Sequence, residues 1–279
     1  MTMNSINTNM QSLIALQNLN NTNMQMAATQ KRVSTGFRVA DARDDGGAYA
    51  VAQSVRSDVA GVTAANEQIG GVKGLLDTTF AALSMVSDTL KQVRTTLTRL
   101  ADGAITQGQR DTYLEQYRLL SQQVSEFVDD AKYNGRTLLA TGVAAGGGNI
   151  VAIRNEVGGT FTIEAVDGAT LLTLPATGPT SAAIAATWIN NGGTFDLVND
   201  EISEALNKFG SSMKFVENQM LYNSKKTDAL EGGLGALVDA DLAKESAVLE
   251  ALKARQQLGV QTLSLANQGP QVLTRLFQG

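Results

Sequence analysis

Apolar residues recur every seven positions over a long stretch of this chain. From Val55 the series runs through Val62, Ile69, Leu76, Leu83, Leu90 and Leu97. Companion apolar positions stand at Val59, Val72, Phe80, Val86, Val93 and Leu100. A repeat sustained in this way puts its side chains on one face of a single helix. At about 1.5 Å per residue that helix spans roughly 60 Å. Gly70, Gly71 and Gly74 fall inside it, each costing about 1 kcal/mol relative to alanine, and close approach of a second helix would account for them. The helix is expected to stop near Asp102-Gly103. A second begins about Asp111, with a seam at Tyr113, Tyr117, Leu120, Val124, Phe127 and Ala131, and ends near Asn134-Gly135. Helical spacing resumes with Val198, Ile202, Phe209, Met213, Val216 and Met220, predicting a helix from about Phe195 to Leu230, after which Gly232-Gly233 and Gly235 loosen the chain. The last helix runs from about Ala240 to Ala266 or beyond. Leu242, Leu249 and Leu263 form one row and Leu252, Ala266 and Leu273 its companion, with Pro270 ending or kinking the helix.

The pattern changes between 141 and 180. Asn149–Ile153 reads as a strand, Gly158-Gly159 as a break, and Thr160–Val166 as a second, alternating strand. Asp167-Gly168 then signals a turn before Leu171–Leu174, so a small hairpin or meander is expected. One or two helical turns follow within 182–193.

The N-terminus carries a heptad frame of its own. Met3, Ile6, Met10, Leu13, Met24 and Ala27 share it, with polar Gln17 and Asn20 between. The first 40 residues hold no acid and carry +3 from Lys31, Arg32 and Arg38; residues 241–279 hold four basic side chains against three acidic ones. The middle therefore carries most of the acid, and the whole chain is −5. Both ends are amphipathic and neither can bury its stripe alone. Pairing them makes the fold mainly α: a long antiparallel helical bundle or coiled-coil hairpin with a small β-hairpin in the middle of the chain. Two thin helices still leave apolar surface exposed, and such surface implies a partner, for which another copy of the chain is the natural candidate.

Composition narrows the chemistry. Cysteine and histidine are both absent from the 279 residues. This excludes a disulfide scaffold, a Cys/His zinc site, histidine-ligated haem and the Ser-His-Asp and Cys-His nucleophiles. Asp41, Asp44 and Asp45 lack the spacing of a calcium loop and read as a solvated cap and turn with Arg38 and Arg43 as partners. No glycine pair opens a phosphate loop. No cofactor, nucleic-acid partner or membrane partner is expected: there is no basic stripe, no apolar run approaching 18 residues, and no cationic segment ahead of an apolar stretch. Thr173, Thr177, Thr180 and Ser181 are candidate sugar acceptors by expected exposure.

At the chain ends the residues themselves become familiar. Ser5-Ile6-Asn7-Thr8-Asn9, Ser12-Leu13, Asn18-Leu19, Arg32-Val33-Ser34-Thr35-Gly36 and Arg38-Val39 with Asp41-Ala42-Arg43-Asp44-Asp45 resemble the N-terminal signature of bacterial flagellin. Lys132-Tyr133-Asn134-Gly135 resembles the family's step into its β region. Val238-Asp239-Ala240-Asp241-Leu242-Ala243-Lys244-Glu245-Ser246 and Leu265-Ala266-Asn267-Gln268 resemble the C-terminal signature, in the form found in alphaproteobacteria. The resemblance covers roughly 1–140 and 195–279.

The resemblance implies a structural subunit, not an enzyme, that polymerises into the flagellar filament for motility. Residues 1–42 with 239–279 would form an inner terminal coiled-coil domain, and 43–238 a helix bundle with the hairpin about 141–180. The outer domains of longer relatives would be absent. Ile6, Met10, Leu13, Leu249, Leu252, Leu263 and Leu273 would bury in the inner core between subunits. Arg32, Asp41, Asp44 and Asp45 would fix the junction between core and bundle. The segment that the animal immune receptor contacts in the family falls on Arg94, Thr95 and Thr96, where the two threonines replace Glu and Leu. Partners would be other flagellin subunits, an export chaperone, and cap and hook-junction proteins, with type III export to the cell exterior. The alternatives are a hook–filament junction protein, which shares such ends, and an intracellular helical scaffold or enzyme.

Overall fold

The computed structural model describes residues 9–142, 146–171 and 174–276, with side chains described up to 169 in the second stretch and 268 in the third. Met3, Ile6 and Thr173 lie outside the described residues, and Leu273 lies in a described helix but its side chain does not. The elements are α1 (Met10–Thr35), α2 (Gly46–Leu100), α3 (Gln107–Asp129), β1 (Ile150–Ile153), β2 (Thr160–Ile163), α4 (Gly168–Leu171), α5 (Ala182–Ile189), α6 (Thr194–Val238) and α7 (Leu242–Leu276). The chain divides into two compact units: Met1–Ser57 with Ala229–Gly279, and Asp58–Asp228.

The unit of residues 58–228 is built on the heptad stripe of α2. Ile69, Leu76, Leu83, Leu90 and Leu97 are each at most 1 % exposed. They share one core with Tyr117, Leu120 and Val124 of α3 and Val198, Ile202, Phe209 and Val216 of α6. Phe80 departs from the expectation: it reaches 36 % exposure, at the margin of the stripe beside Gly210. α3 starts at Gln107, a turn earlier than its apolar pattern suggests. Thr106 and Gln109 close a capping box there, which satisfies donors at the helix start. An 18-residue window of α2 reaches a mean hydropathy of 1.2, enough by length and composition alone to cross a membrane, a run the sequence reading did not pick out. In this fold its apolar face is the bundle core.

The glycines of α2 have a different reason from the expected one. Gly70 and Gly71 face open space, whereas a Cβ on Gly74 would stand 2.9 Å from the ring of Tyr133. The close approach is thus by a loop, not by a second helix. Tyr133 is placed by a tight turn in which Asn134 (φ 49) and Gly135 (φ 73) both adopt left-handed backbone. Tyr133 and Arg136 exchange backbone hydrogen bonds of 2.8 and 3.0 Å across it, the geometry that an Asn-Gly pair favours.

β1 and β2 form an antiparallel hairpin in the register Ile150↔Ile163 and Ala152↔Phe161. Its connection docks on the helices. Glu156 pairs with Lys226, and a Cβ on Gly61 would come 2.9 Å from that of Glu156. Gln219 and buried Asn223 donate to the carbonyl of Arg154 at 3.3 and 3.1 Å. Of the expected hairpin or meander the described residues form the hairpin, and after Asp167 the segment Gly168–Leu171 is a helical turn, begun where Asp167 Oδ1 accepts from the Ala169 N–H at 3.1 Å. The Asp-Gly pair acts as a helix start, not as a hairpin turn. Tyr117 is buried, donates to the Pro175 carbonyl at 2.9 Å and lies against Trp188 with ring centroids 6.0 Å apart.

In the other unit, α1 and α7 run antiparallel. Asn9 Nδ2 donates to the Ala266 carbonyl at 2.7 Å, Ser12 Oγ to Asn267 at 2.7 Å, Gln256 Nε2 to Asn23 at 2.7 Å, and Arg32 to Glu245 at 3.3 Å. α6 stays helical through Gly232, Gly233 and Gly235 to Val238, so these glycines do not loosen it. α7 continues through Pro270 to Leu276.

Candidate assembly interface

The α1–α7 seam is itself a heptad, but not the one expected on α1. The α1 residues turned toward α7 are Ala15, Thr22 and Thr29, all buried, alternating with half-buried Leu19, Met26 and Val33. Small and polar side chains let the helices approach; a Cβ on Gly259 would stand 3.2 Å from Leu19 Cδ1. Opposite lie Leu252, 5 % exposed, and half-buried Leu249 and Leu263. Leu249, Leu252 and Leu263 of the α7 frame are therefore on the face that meets α1 within one chain, whereas Leu242 at its start is 49 % exposed. The α1 frame read from the sequence points away from it: Met10, Leu13 and Met24 are 61 %, 55 % and 64 % exposed. Leu258, Val260 and Leu265 of α7 are also exposed.

At the end of this pair where α1 gives way to α2, four helix ends meet and each is capped. Gly36 closes α1 in the left-handed conformation, its N–H donating to the Arg32 carbonyl. Asp45 Oδ1 accepts from the Ala48 N–H at 3.0 Å at the start of α2. Arg38 donates to the Leu237 carbonyl at the end of α6, and Asp241 Oδ1 accepts from the Lys244 N–H at 3.1 Å at the start of α7. Between them the backbone forms a bridge, Phe37↔Asp239, with Arg38 N donating to the Val238 carbonyl at 2.7 Å and Ala240 N to that of Gly36 at 2.9 Å. Val39, Ala52 and Val238 form a small core beneath.

The junction carboxylates are organised by a residue that sequence reading missed. Lys31 Nζ lies 2.9 Å from Asp41 and 2.7 Å from Asp44. Asp44 also accepts from the N–H groups of Ala40 and Asp41 at 3.0 and 3.2 Å, and Asp41 from that of Arg43 at 2.8 Å. Hydrogen bonding to Lys31, then to those N–H groups, lowers the Asp44 carboxyl from its ordinary 3.8 to about 2. Lys31 likewise lowers Asp41, and the two carboxylates, Asp44 first, raise Lys31 above 10.5. Arg43 approaches Asp41 only at 3.5 Å, its side chain 92 % exposed. Arg38 caps α6 instead of serving the aspartates. Arg32 does not join this cluster; it pairs with Glu245 of α7. The signal for Lys31 was available in principle, since a Gly36 turn is what brings it back over Asp41 and Asp44.

Arg94 and Thr95 are exposed on α2, while Thr96 is 2 % exposed and donates to the Gln92 carbonyl at 3.0 Å. Thr177 and Thr180 are exposed and Ser181 is half-buried, capping α5.

A chain whose two ends pair as amphipathic helices and leave apolar rows open, and whose middle folds as a bundle with a small hairpin, has the build of a structural protein. Residues 6–143 match the bacterial flagellin N-terminal helical region and residues 195–277 the bacterial flagellin C-terminal helical region. Over the full length of both chains, the sequence is 34 % identical to flagellin FljM and 33 % identical to flagellin FljK of Caulobacter vibrioides. It is 32 % identical to a flagellin of Brucella melitensis, over 99 % of this chain and 100 % of that one. The chain belongs to the bacterial flagellin family. It is a structural subunit of the flagellar filament, an extracellular polymer of flagellin subunits, and not an enzyme. The family models at both ends and full-length flagellin relatives do not favour the hook-junction alternative.

Proposed function

We propose that the terminal helices are the polymerisation element of this subunit, and that residues 1–42 with 239–279 act as the inner coiled-coil domain while 43–238 form the bundle. The observation that carries the reading is the outward apolar row of α1, Met10, Leu13 and Met24, left uncovered while α1 is already paired with α7. Leu249, Leu252 and Leu263 contribute by holding α7 against α1. Ile6 and Leu273 extend the same rows by spacing. At about 25 cal/mol per Å2, covering 1,000 Å2 of such surface contributes roughly 25 kcal/mol before ordering costs. Arg32, Asp41, Asp44 and Asp45 act as fixed points of the junction. The chain reaches the exterior by flagellar type III export, aided by an export chaperone, and meets cap and hook-junction proteins there. Thr95 and Thr96 in place of Glu and Leu weaken recognition by the animal immune receptor.

The test is seeded growth. Purified chain added to short filament seeds lengthens them, followed by electron microscopy. A chain lacking residues 1–40 stays monomeric and adds to no seed; normal filaments from it would sink the reading.

A further inference from the structure

Sulfur is distributed unevenly in this chain. The 279 residues hold eight methionines and no cysteine, so an oxidant that attacks sulfur meets thioethers and never a thiol. Met3, Met10 and Met24 fall on one frame of sevens, with Gln17 between. Among the described residues, Met10, Met24 and Met85 are the open methionines, at 61 %, 64 % and 53 % exposure. Met26, two positions beyond Met24, is half-buried in the row of α1 that meets α7. Met213 and Met220 of α6 are half-buried against the bundle core. α1 therefore carries an open and a shielded thioether two residues apart. The side chains a turn away from Met24 do not cover it: Asn20, Asn21, Ala27 and Ala28 are short and themselves exposed.

We propose that Met10 and Met24 are oxidation sites that control entry into the polymer: a peroxide converts them to sulfoxides in the free subunit, and the modified subunit no longer adds to a filament end. The thioether sulfur attacks one peroxide oxygen, the O–O bond breaks, and the second oxygen leaves as water. Sulfur is oxidised as the peroxide is reduced. Each conversion turns a flexible apolar side chain into a polar, chiral one. On the open face of α1 the new S=O group is solvated and costs little. Under a neighbouring subunit it must shed its water, and an acceptor buried without a donor is penalised. The effect falls on assembly and not on folding, because Ala15, Thr22, Thr29 and Leu252 make the α1–α7 seam. Covering the row also shuts the peroxide out, so susceptibility belongs to the free subunit. The proposal rests on the terminal helices being the polymerisation element, to which it adds a chemical control.

The test uses the full-length chain, treated with hydrogen peroxide, freed of it and added to filament seeds. Peptide mass spectrometry is expected to show one added oxygen on Met10 and on Met24, with Met26 lagging. The subunit concentration needed for growth is expected to rise about tenfold or more. Methionine sulfoxide reductases with a dithiol are expected to restore growth. Met3→Leu, Met10→Leu and Met24→Leu combined keep an apolar row of similar volume that peroxide cannot alter, and this variant is expected to grow equally well treated or untreated. Unchanged growth of the oxidised unaltered chain, or equal loss in the triple variant, overturns the proposal. So does rescue by Met85→Leu alone. Should the triple variant not extend seeds even untreated, the repair step decides: growth that stays lost once Met10 and Met24 are thioethers again overturns the proposal. Circular dichroism of the treated monomer is expected to hold its signal; a loss of helicity that the triple variant shares would trace the damage to Met26 at the seam and overturn it too. If the untreated chain fails to extend seeds, the reading of the terminal helices has failed as well; if it extends them and only the oxidation results are negative, the modification alone is wrong.

Discussion

Lys31 illustrates how much one side chain decides here. It holds two aspartates on the surface loop between α1 and α2, and its effect has a definite direction with pH. The folded-state pKa of Asp44 is depressed, so the stabilisation it contributes is complete above its ordinary value of 3.8 and is lost as pH falls toward about 2. Lys31 is raised, so its contribution is complete below 10.5 and is lost as pH rises beyond that value. In Lys31→Ala the Asp44 carboxyl is expected to titrate closer to 3.8 in a carbon-13 NMR titration; an unmoved value would remove Lys31 as the cause. At Gly74 the argument is steric. Gly74→Ala pushes a methyl into the Tyr133 ring and should destabilise by about 1–3 kcal/mol in chemical denaturation. Adding Tyr133→Ala should recover part of that loss, and equal loss in both variants would mean the contact is not the reason.

Among the elements, α2 and α1 give opposite lessons in reading a sequence. In α2 the apolar stripe and the buried face coincide, because one core covers it: Leu76, Leu83, Leu90 and Leu97 are all at most 1 % exposed. Leu90→Ala should therefore cost about 2–5 kcal/mol in thermal or denaturant unfolding, whereas exposed Met85→Ala should stay within about 0.5 kcal/mol. In α1 the stripe and the intramolecular seam are different faces. Hydrophobicity reports that a face is to be covered, but not by what. The seam uses Ala15, Thr22 and Thr29 because α7 must come close, and small residues give no apolar signal in a sequence. The prediction follows from the split: Leu252→Ala lowers the helicity of the dispersed monomer by circular dichroism. Met24→Ala leaves that signal unchanged and raises the concentration needed for growth on seeds. If Met24→Ala altered monomer helicity instead, the outward row would be an internal contact. Other elements were legible to the extent that their signals were local. The capping box of α3 was in the sequence but outside the apolar pattern that set its start. Asp167-Gly168 was ambiguous between a hairpin turn and a helix start, and only the fold chose.

At the scale of the molecule, the family and the class of function were readable because both ends carry extended signatures in the right order. The junction was half readable: the aspartates stood out and Lys31 stands only 10 and 13 residues before its partners, but the contact of Arg38 with Leu237 and the Phe37↔Asp239 bridge depend on chain segments some 200 residues apart meeting. That bridge also orders events in time. It closes a ring from Phe37 to Asp239, and nearly every intramolecular partner of α1 lies at Asp239 or later in the chain. A chain that emerges from its N-terminus must carry α1 without a mate until almost all of its length has arrived, because the loop to be closed is nearly the whole protein. Closing such a loop costs about 5 kcal/mol of chain entropy by length alone. The bridge is thus a late event: it cannot form until the chain has arrived as far as Asp239.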